Sequence, residues 1–333
     1  MTPQLSIVVI SYNIPRELPR TLYSLSPAFQ RGISGDDYEI IVVDNGSTNP
    51  PTEEEYRDLG VSLRILRNPD PRPSPVTAIN LGLSEARGQW VCVFIDGARL
   101  ASPGLLHSSL QALRISPHAV VGSRGRYLGY DFQSAGMRRG YTREKEDRLL
   151  EEVNWRENGY KLFHISVFDE SSISSWFSPI AESNSIVLSR TMWAELGGYD
   201  ALFTSAGGGM VNLDTWKRAL ALPGAVPIVL LGEATFHQLH GGSSTNAAEP
   251  IARGLIVAEE YLDIRGERFS LSAVPVQFWG SFVYPPRRHD LIGGLFSPQV
   301  WRINYEYVRF RLKSRLGLIE NPTDGRITAD PPW

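Results

Sequence analysis

The chain has one cysteine, Cys92, in 333 residues, so no disulfide can form within it. A reducing, cytoplasmic compartment is the expectation that follows. Long apolar runs are also missing. The longest clean stretch is Trp90 to Ile95, far short of the roughly 18 residues that a membrane helix needs. No basic segment precedes the first apolar stretch, so no signal peptide is expected. A basic excess is absent too: 33 Lys and Arg against 36 Asp and Glu give a net charge of −3. That balance argues against a dedicated nucleic-acid binder. Internal repeats and low-complexity tracts are not found.

Two phosphate-binding signatures are lacking as well. The first apolar run is followed by Ser11-Tyr12-Asn13-Ile14-Pro15-Arg16, not by a G-x-G-x-x-G turn. Without those glycines a backbone cannot approach a dinucleotide pyrophosphate, which excludes the usual nicotinamide-binding turn. No G-x-x-x-x-G-K-[ST] loop occurs, so a P-loop enzyme is excluded.

What is present is an alternation of strand and helix. Hydrophobic residues make up 42% and charged residues 21%, as in an ordinary folded protein of one large or two smaller domains. Short apolar runs at Leu5–Ile10, Tyr38–Val43, Leu63–Leu66, Trp90–Ile95 and His118–Val121 read as buried strands. Between them Leu18, Leu22 and Leu25 share a helix face. Ser74-Pro75 and Ser102-Pro103 look like helix starts. Continuous apolar strands alternating with helices imply a mostly parallel sheet covered on both faces. Ligands then bind at the carboxyl ends of the strands, where this sequence puts Ser11, Tyr12, Asn13, Asp44, Asn45, Asn68 and Asp96.

The stretch 123–178 is polar, with a charged helix expected from about Thr142 to Asn158. Regular structure resumes at Ser185–Leu188 and Arg190–Leu196. A glycine loop, Gly207-Gly208-Gly209, precedes Asp214 and Trp216. The apolar run Pro227–Leu231 leads to Phe236-His237-Gln238-Leu239-His240-Gly241-Gly242. Residues 250–333 read as an appendage with helices near Ala252–Asp263 and Pro298–Leu316.

The order of these motifs resembles glycosyltransferase family 2. They are Ser11-Tyr12-Asn13, then Val43-Asp44-Asn45-Gly46-Ser47, then Ala78-Ile79-Asn80-Leu81-Gly82, then Phe94-Ile95-Asp96 with Pro103-Gly104 seven residues beyond Asp96. Glu182-Ser183-Asn184, Leu196-Gly197-Gly198-Tyr199-Asp200 and the glycine loop before Asp214 continue the series, over about residues 5–245. The resemblance implies a GT-A fold, an α/β domain with a mostly parallel sheet and helices on both faces, to which the helical C-terminal appendage read from residues 250–333 is added. It implies a catalytic domain at 1–249, divided into a nucleotide-sugar half (1–122) and an acceptor half (123–249, with the polar insertion 123–178). It further implies an inverting, hexosyltransferase-type enzyme of polysaccharide biosynthesis. Such an enzyme moves a sugar from a nucleotide-sugar donor to a hydroxyl of a glycan or lipid-linked acceptor.

Carried onto this sequence, the resemblance assigns Ser11, Tyr12, Asn13, Asp44, Asn80 and Asp96 to the nucleotide; Arg99, which departs from the family's motif, reads by its own chemistry as a further phosphate contact or as a solvated loop residue. Asp44 can accept hydrogen bonds from the nucleoside, although an Asp-Asn-Gly-Ser turn also caps a strand. Ile79 stands where the family usually has arginine, and Asn80 reads equally as a helix-surface residue. The family's metal motif, D-x-D, is here Asp96-Gly97-Ala98-Arg99. Its second carboxylate is missing, and Arg99 can bond phosphate directly. A weakly held divalent cation, Mn²⁺ or Mg²⁺, is expected on Asp96 with His240 or His237. Asp214 is the only acid after the glycine loop and the first candidate for general base. Glu182 is the second candidate, or a ligand of the acceptor hydroxyl, and Trp216 is a candidate stacking platform for the acceptor. The competing reading is a non-catalytic sugar-nucleotide or glycan-binding relative with a degenerate metal site. The basic, amphipathic stretch 298–316 can rest against an anionic membrane at its inner face or dock on the catalytic domain.

Overall fold

A computed structural model describes residues 2–172, 175–241, 250–292, and the isolated positions 309, 312 and 313. In chain order the elements are β1 (Leu5–Ser11), α1 (Leu18–Ser24), β2 (Tyr38–Asp44), β3 (Ser62–Arg67), α2 (Val76–Glu85), β4 (Trp90–Phe94) and β5 (Arg99–Ala101). There follow α3 (Leu105–Leu113), β6 (Ala119–Leu128), α4 (Gln133–Arg138), α5 (Arg143–Glu152), β7 (Ser166–Phe168), β8 (Ile186–Ser189) and α6 (Arg190–Leu196). The last are α7 (Val211–Leu220), β9 (Val226–His237), α8 (Pro250–Arg265), β10 (Gln277–Gly280) and α9 (Arg288–Ile292).

The main sheet runs in the order β10-β9-β6-β8-β4-β1-β2-β3. Its strands are parallel except β8, which is antiparallel to both β4 and β6. Side chains alternate across the strands, so each face gets its own core. Val8, Ile10, Ile41, Val43, Val91 and Val93 pack with α2, α6 and α7 on one side. Ile7, Val9, Ile40, Val42, Cys92 and Phe94 pack with α1 and α3 on the other. This is the expected GT-A architecture.

Three differences from the sequence expectation matter for the site. The fifth strand does not stop at Val121 but continues as β6 to Leu128, well into the polar stretch. Its polar residues are paired instead of solvated: Arg126 Nη2 donates to Ser166 O at 2.9 Å, and Arg124 Nη1 donates to Ser172 O at 3.4 Å. Similarly, β9 runs on past Leu231 to His237, because Glu233 and Thr235 are buried within it. The charged helix α5 ends at Glu152, short of Asn158, as the chain turns through Asn154 at φ 48°.

The appendage is not purely helical. β10 joins the sheet beside β9 in parallel register, and α8 lies over the glycine loop, where Glu260 accepts from the backbone N–H groups of Thr204 and Ser205 at 2.8 Å. The helix expected at 298–316 lies outside the described residues, apart from 309, 312 and 313. No helix among the described residues is long and apolar enough to cross a membrane.

Candidate active site

The carboxyl ends of β1, β2 and β3 are knitted into one polar edge. Ser11 is in register with Asp44, and Asp44 with Arg67. The Asp44 carboxylate accepts from the N–H groups of Gly46 (3.2 Å) and Ser47 (3.1 Å), so the capping turn expected as the alternative does form. Asn13 sits at φ 50°, a conformation its short side chain tolerates. Its N–H donates to Ser47 Oγ at 2.8 Å, and its Oδ1 accepts from Thr48 N–H at 2.9 Å. Tyr12 projects outward beside this turn, 58% exposed.

After β4 the chain must turn sharply against the end of β1. Gly97 N–H donates to Ile10 O at 2.8 Å, and a Cβ on Gly97 would stand 2.4 Å from that oxygen. Only glycine fits. The turn aims Asp96 at the end of β9. Asp96 Oδ2 lies 2.7 Å from His237 Nε2 and 3.3 Å from His240 Nε2, and the two ring nitrogens are 3.1 Å apart. Ala98, in the place of the second motif acid, is fully buried, and its carbonyl accepts from Gln238 N–H, tying the turn to the histidine segment. Leu239 between the histidines is gripped at both backbone groups: its N–H donates to Glu146 (2.8 Å), and its carbonyl accepts from Arg16 (3.2 Å).

Both candidate histidines are therefore brought to Asp96. The three ligand atoms lie within 4.8 Å of one another. Ligand atoms around an ion bonded at about 2.1 Å sit roughly 3 Å apart, close to the separations here, so the residues fit a divalent cation. Two imidazoles and one carboxylate suit Mn²⁺ or another transition-series cation better than Mg²⁺. Burial holds His237 down to about 4, hence neutral, which suits it as a ligand. For Asp96 burial pushes upward, but His240 and His237 outweigh it and hold the carboxyl well below the usual range.

Arg99 is the antiparallel register partner of His237 and shares its face. The guanidinium is buried, and its Nε and Nη1 donate no hydrogen bond to any described residue. Its ion-pair partner, Asp169, is 3.8 Å away, beyond hydrogen-bond reach. Asp169 in turn lies against β6 at Gly125, where a Cβ would collide with its carboxylate. Next to it Glu170 accepts from Tyr127 Oη at 2.6 Å, and the Tyr127 ring stands edge-on to His237, centroids 5.7 Å apart.

Glu182 completes this group. It is partly exposed, and Asn212 Nδ2 donates to its Oε2 at 2.9 Å. Burial, then repulsion from Asp169, pushes its carboxyl up to about 7, while Asn212 and Arg99 pull the other way. Asp169, Glu170, Tyr127 and Asn212 were not singled out from sequence. The adjacent acids of Phe168-Asp169-Glu170 were the one available signal, and Asn212 stood two residues from a chosen candidate.

Asp214, Asn80 and Trp216 are placed elsewhere. Asp214 is 1% exposed and accepts from Arg218 Nε and from Arg265 Nε and Nη2, each at 2.7 Å. Among the described residues it shares no hydrogen bond or ion pair with the Asp96 group. Asn80 spends its amide on the backbone of Tyr199: Nδ2 donates to Tyr199 O (2.8 Å), and Oδ1 accepts from Tyr199 N–H (2.9 Å). Trp216 is core, 2% exposed, with Nε1 donating to Ile180 O at 3.1 Å, so it offers no face to a sugar.

A mostly parallel sheet with helices packed on both faces is the architecture of the GT-A glycosyltransferases. Within it, the description Glycosyl transferase family 2 matches residues 6–172, and the chain belongs to that family. The family is one of glycosyltransferases, as the order of the motifs led us to expect. Among solved structures it is similar to S. aureus TarS 1–349 in complex with UDP-GlcNAc, with TM-score 0.51 and 16% identity over 78% of this chain and 67% of that one. Another structure of S. aureus TarS 1–349 gives 0.49 and 17%, covering 78% of this chain and 66% of that one. Full S. aureus TarS gives 0.48 and 15%, and 40% of its length is spanned. No curated protein matches the sequence.

Proposed function

We propose that the enzyme transfers a sugar from a nucleoside-diphosphate donor to an acceptor hydroxyl on a glycan or glycolipid, with inversion at the anomeric carbon. The observation that carries this reading is the meeting of a cation-ready trio, an arginine with spare donors and a carboxylate poised near neutrality at one sheet edge. The nucleoside takes the Tyr12–Asn13 and Asp44 edge. The diphosphate takes the Asp96 end, where the Arg99 guanidinium has two N–H positions unspent and pairs bidentately with phosphate oxygens. Asp96, His237 and His240 would hold a divalent cation, which when bound neutralises the leaving diphosphate.

Inversion is a single displacement. The acceptor oxygen bonds to the anomeric carbon as the bond to the diphosphate oxygen breaks, and the departing nucleoside diphosphate keeps that electron pair. Glu182 takes the acceptor's proton. A base with a value near 7 is half-ionised at neutral pH and strong enough to help. Asp214, the first candidate from sequence, is given up for this role because two arginines neutralise it. A thermal-shift screen of nucleoside diphosphates and nucleotide sugars, with and without Mn²⁺, tests the donor reading. One nucleotide series should raise the melting temperature, more so with Mn²⁺. No shift with any nucleotide would refute it.

A further inference from the structure

Glu182 has one hydrogen-bond donor among the described residues, and that donor is itself held by a chain of contacts. Asn212 Nδ2 reaches both Glu182 Oε2 (2.9 Å) and the carbonyl of Ser183 (3.1 Å). A carbonyl only accepts, so the amide must present its NH₂ to this side and its oxygen to the other. There Asn212 Oδ1 accepts from Tyr199 Oη at 2.9 Å. Tyr199 is 1% exposed and stacked on Trp193, with centroids 5.9 Å apart at 20°. Asn80 grips both backbone groups of Tyr199. Ser183 is fixed from the opposite side, since its Oγ accepts from Ser123 N–H at 2.9 Å and donates to Ser123 O at 3.1 Å. Glu182 Oε1 takes no hydrogen bond from any described residue.

We infer that Asn212 is a positioning residue for Glu182: through the Asn80–Tyr199–Asn212 chain it holds one carboxylate oxygen and leaves the other available to an acceptor hydroxyl. This rests on Glu182 being the base. The chain also gives Asn80 a role away from the nucleotide, because it anchors the far end of the tether. The charged groups that act most on Glu182 among the described residues come from other elements. Asp169 and Glu170, beyond β7, disfavour its ionised form, and Arg99 on β5 favours it. Asn212 is the neutral member of the set, and its N–H favours the carboxylate without adding a charge.

The test follows Glu182 itself. Protein carrying ¹³C-carboxyl glutamate is titrated by NMR, with Glu182→Gln identifying the resonance. Asn212→Leu removes the N–H, and the Glu182 midpoint should rise by about one pH unit. Asn212→Asp puts a second carboxylate against the first, so the pair should titrate in two separated steps. Tyr199→Phe removes only the distant hydroxyl and should give a smaller upward shift, which serves if Asn212→Leu does not fold. A merely structural asparagine would leave the midpoint in place. An unchanged or lowered midpoint in the folded variants overturns the inference. The base reading fails separately, if Glu182→Gln releases nucleoside diphosphate at the wild-type rate.

Discussion

Asp214 and Glu182 are acids of the same half of the chain with opposite surroundings. Asp214 faces arginines from α7 and α8, which use both its oxygens. Glu182 faces other carboxylates, one arginine and one amide. The first arrangement makes a strut between α8 and α7. The second keeps the Glu182 carboxyl near its balance point at neutral pH, at a cost in stability. Composition and spacing do not distinguish two such acids. The charges brought to them by distant elements do.

The largest expected effect breaks this comparison directly. Glu182→Gln should lower the rate of nucleoside diphosphate release by about 10²–10⁴-fold, the usual worth of a general base, with donor binding unchanged in calorimetry. Asp214→Asn should leave the rate per folded molecule near wild type. The reverse pattern would swap the two roles.

Asp214→Asn should act on stability. It leaves Arg218 facing a neutral amide and Arg265 with Asp200 as its remaining carboxylate partner. Breaking a buried pair costs about 3–5 kcal/mol, but both arginines keep some solvent contact, so about 2–4 kcal/mol is expected by urea denaturation. A loss within experimental error would mean that the cluster is not a strut.

Asp44→Ala removes a charged acceptor at the β2 edge. Nucleoside diphosphate should bind about 1.5–3 kcal/mol more weakly, measured by calorimetry on protein with an unaltered circular dichroism spectrum. Unchanged affinity would restrict Asp44 to capping its own turn.

His240→Ala and His237→Ala should each weaken Mn²⁺ binding by at least about tenfold, worth about 1.4 kcal/mol, in titrations with the metal alone. Full affinity in both variants would remove the histidines from the site.

The smallest effect sharpens the contrast. Glu182 has a folded value near 7 against an ordinary 4.5. The native state therefore binds the proton more tightly than the unfolded chain. The stability this gives is fully present below about pH 4.5 and is lost as pH rises through 7. Glu182→Gln should match the wild type at pH 4 and exceed it at pH 8, by about 1–2 kcal/mol after allowance for its partial exposure. Equal melting temperatures at both pH values would contradict the raised value.

Much of the fold was legible because its strands are apolar throughout: β1, β2 and β4 read directly as buried, and the helix faces followed from leucine spacing. The continuation of β6 was hidden because Arg124 and Arg126 look solvated in sequence, while their partners lie about 40 to 50 positions away in the chain. Asp96, His237 and His240 were legible as candidates, through a strand end and a glycine-flanked pair. That both histidines reach one carboxylate oxygen depends on β5 pairing with β9, which sequence does not announce. Trp216 and Asn80 were chosen by type and motif; Trp216 lies in the core, and the Asn80 amide is spent on the backbone of Tyr199. The Asp169–Glu170 pair went unseen inside a stretch read only as polar with one charged helix.

The pH dependence of nucleoside diphosphate release tests the central contrast most directly. With a donor found in the thermal-shift screen, kcat/KM should fall on the acid side with a midpoint near 7, and Asp214→Asn should leave that midpoint where it is. A limb that lies near pH 4, or one that moves in Asp214→Asn, would contradict Glu182 as the base.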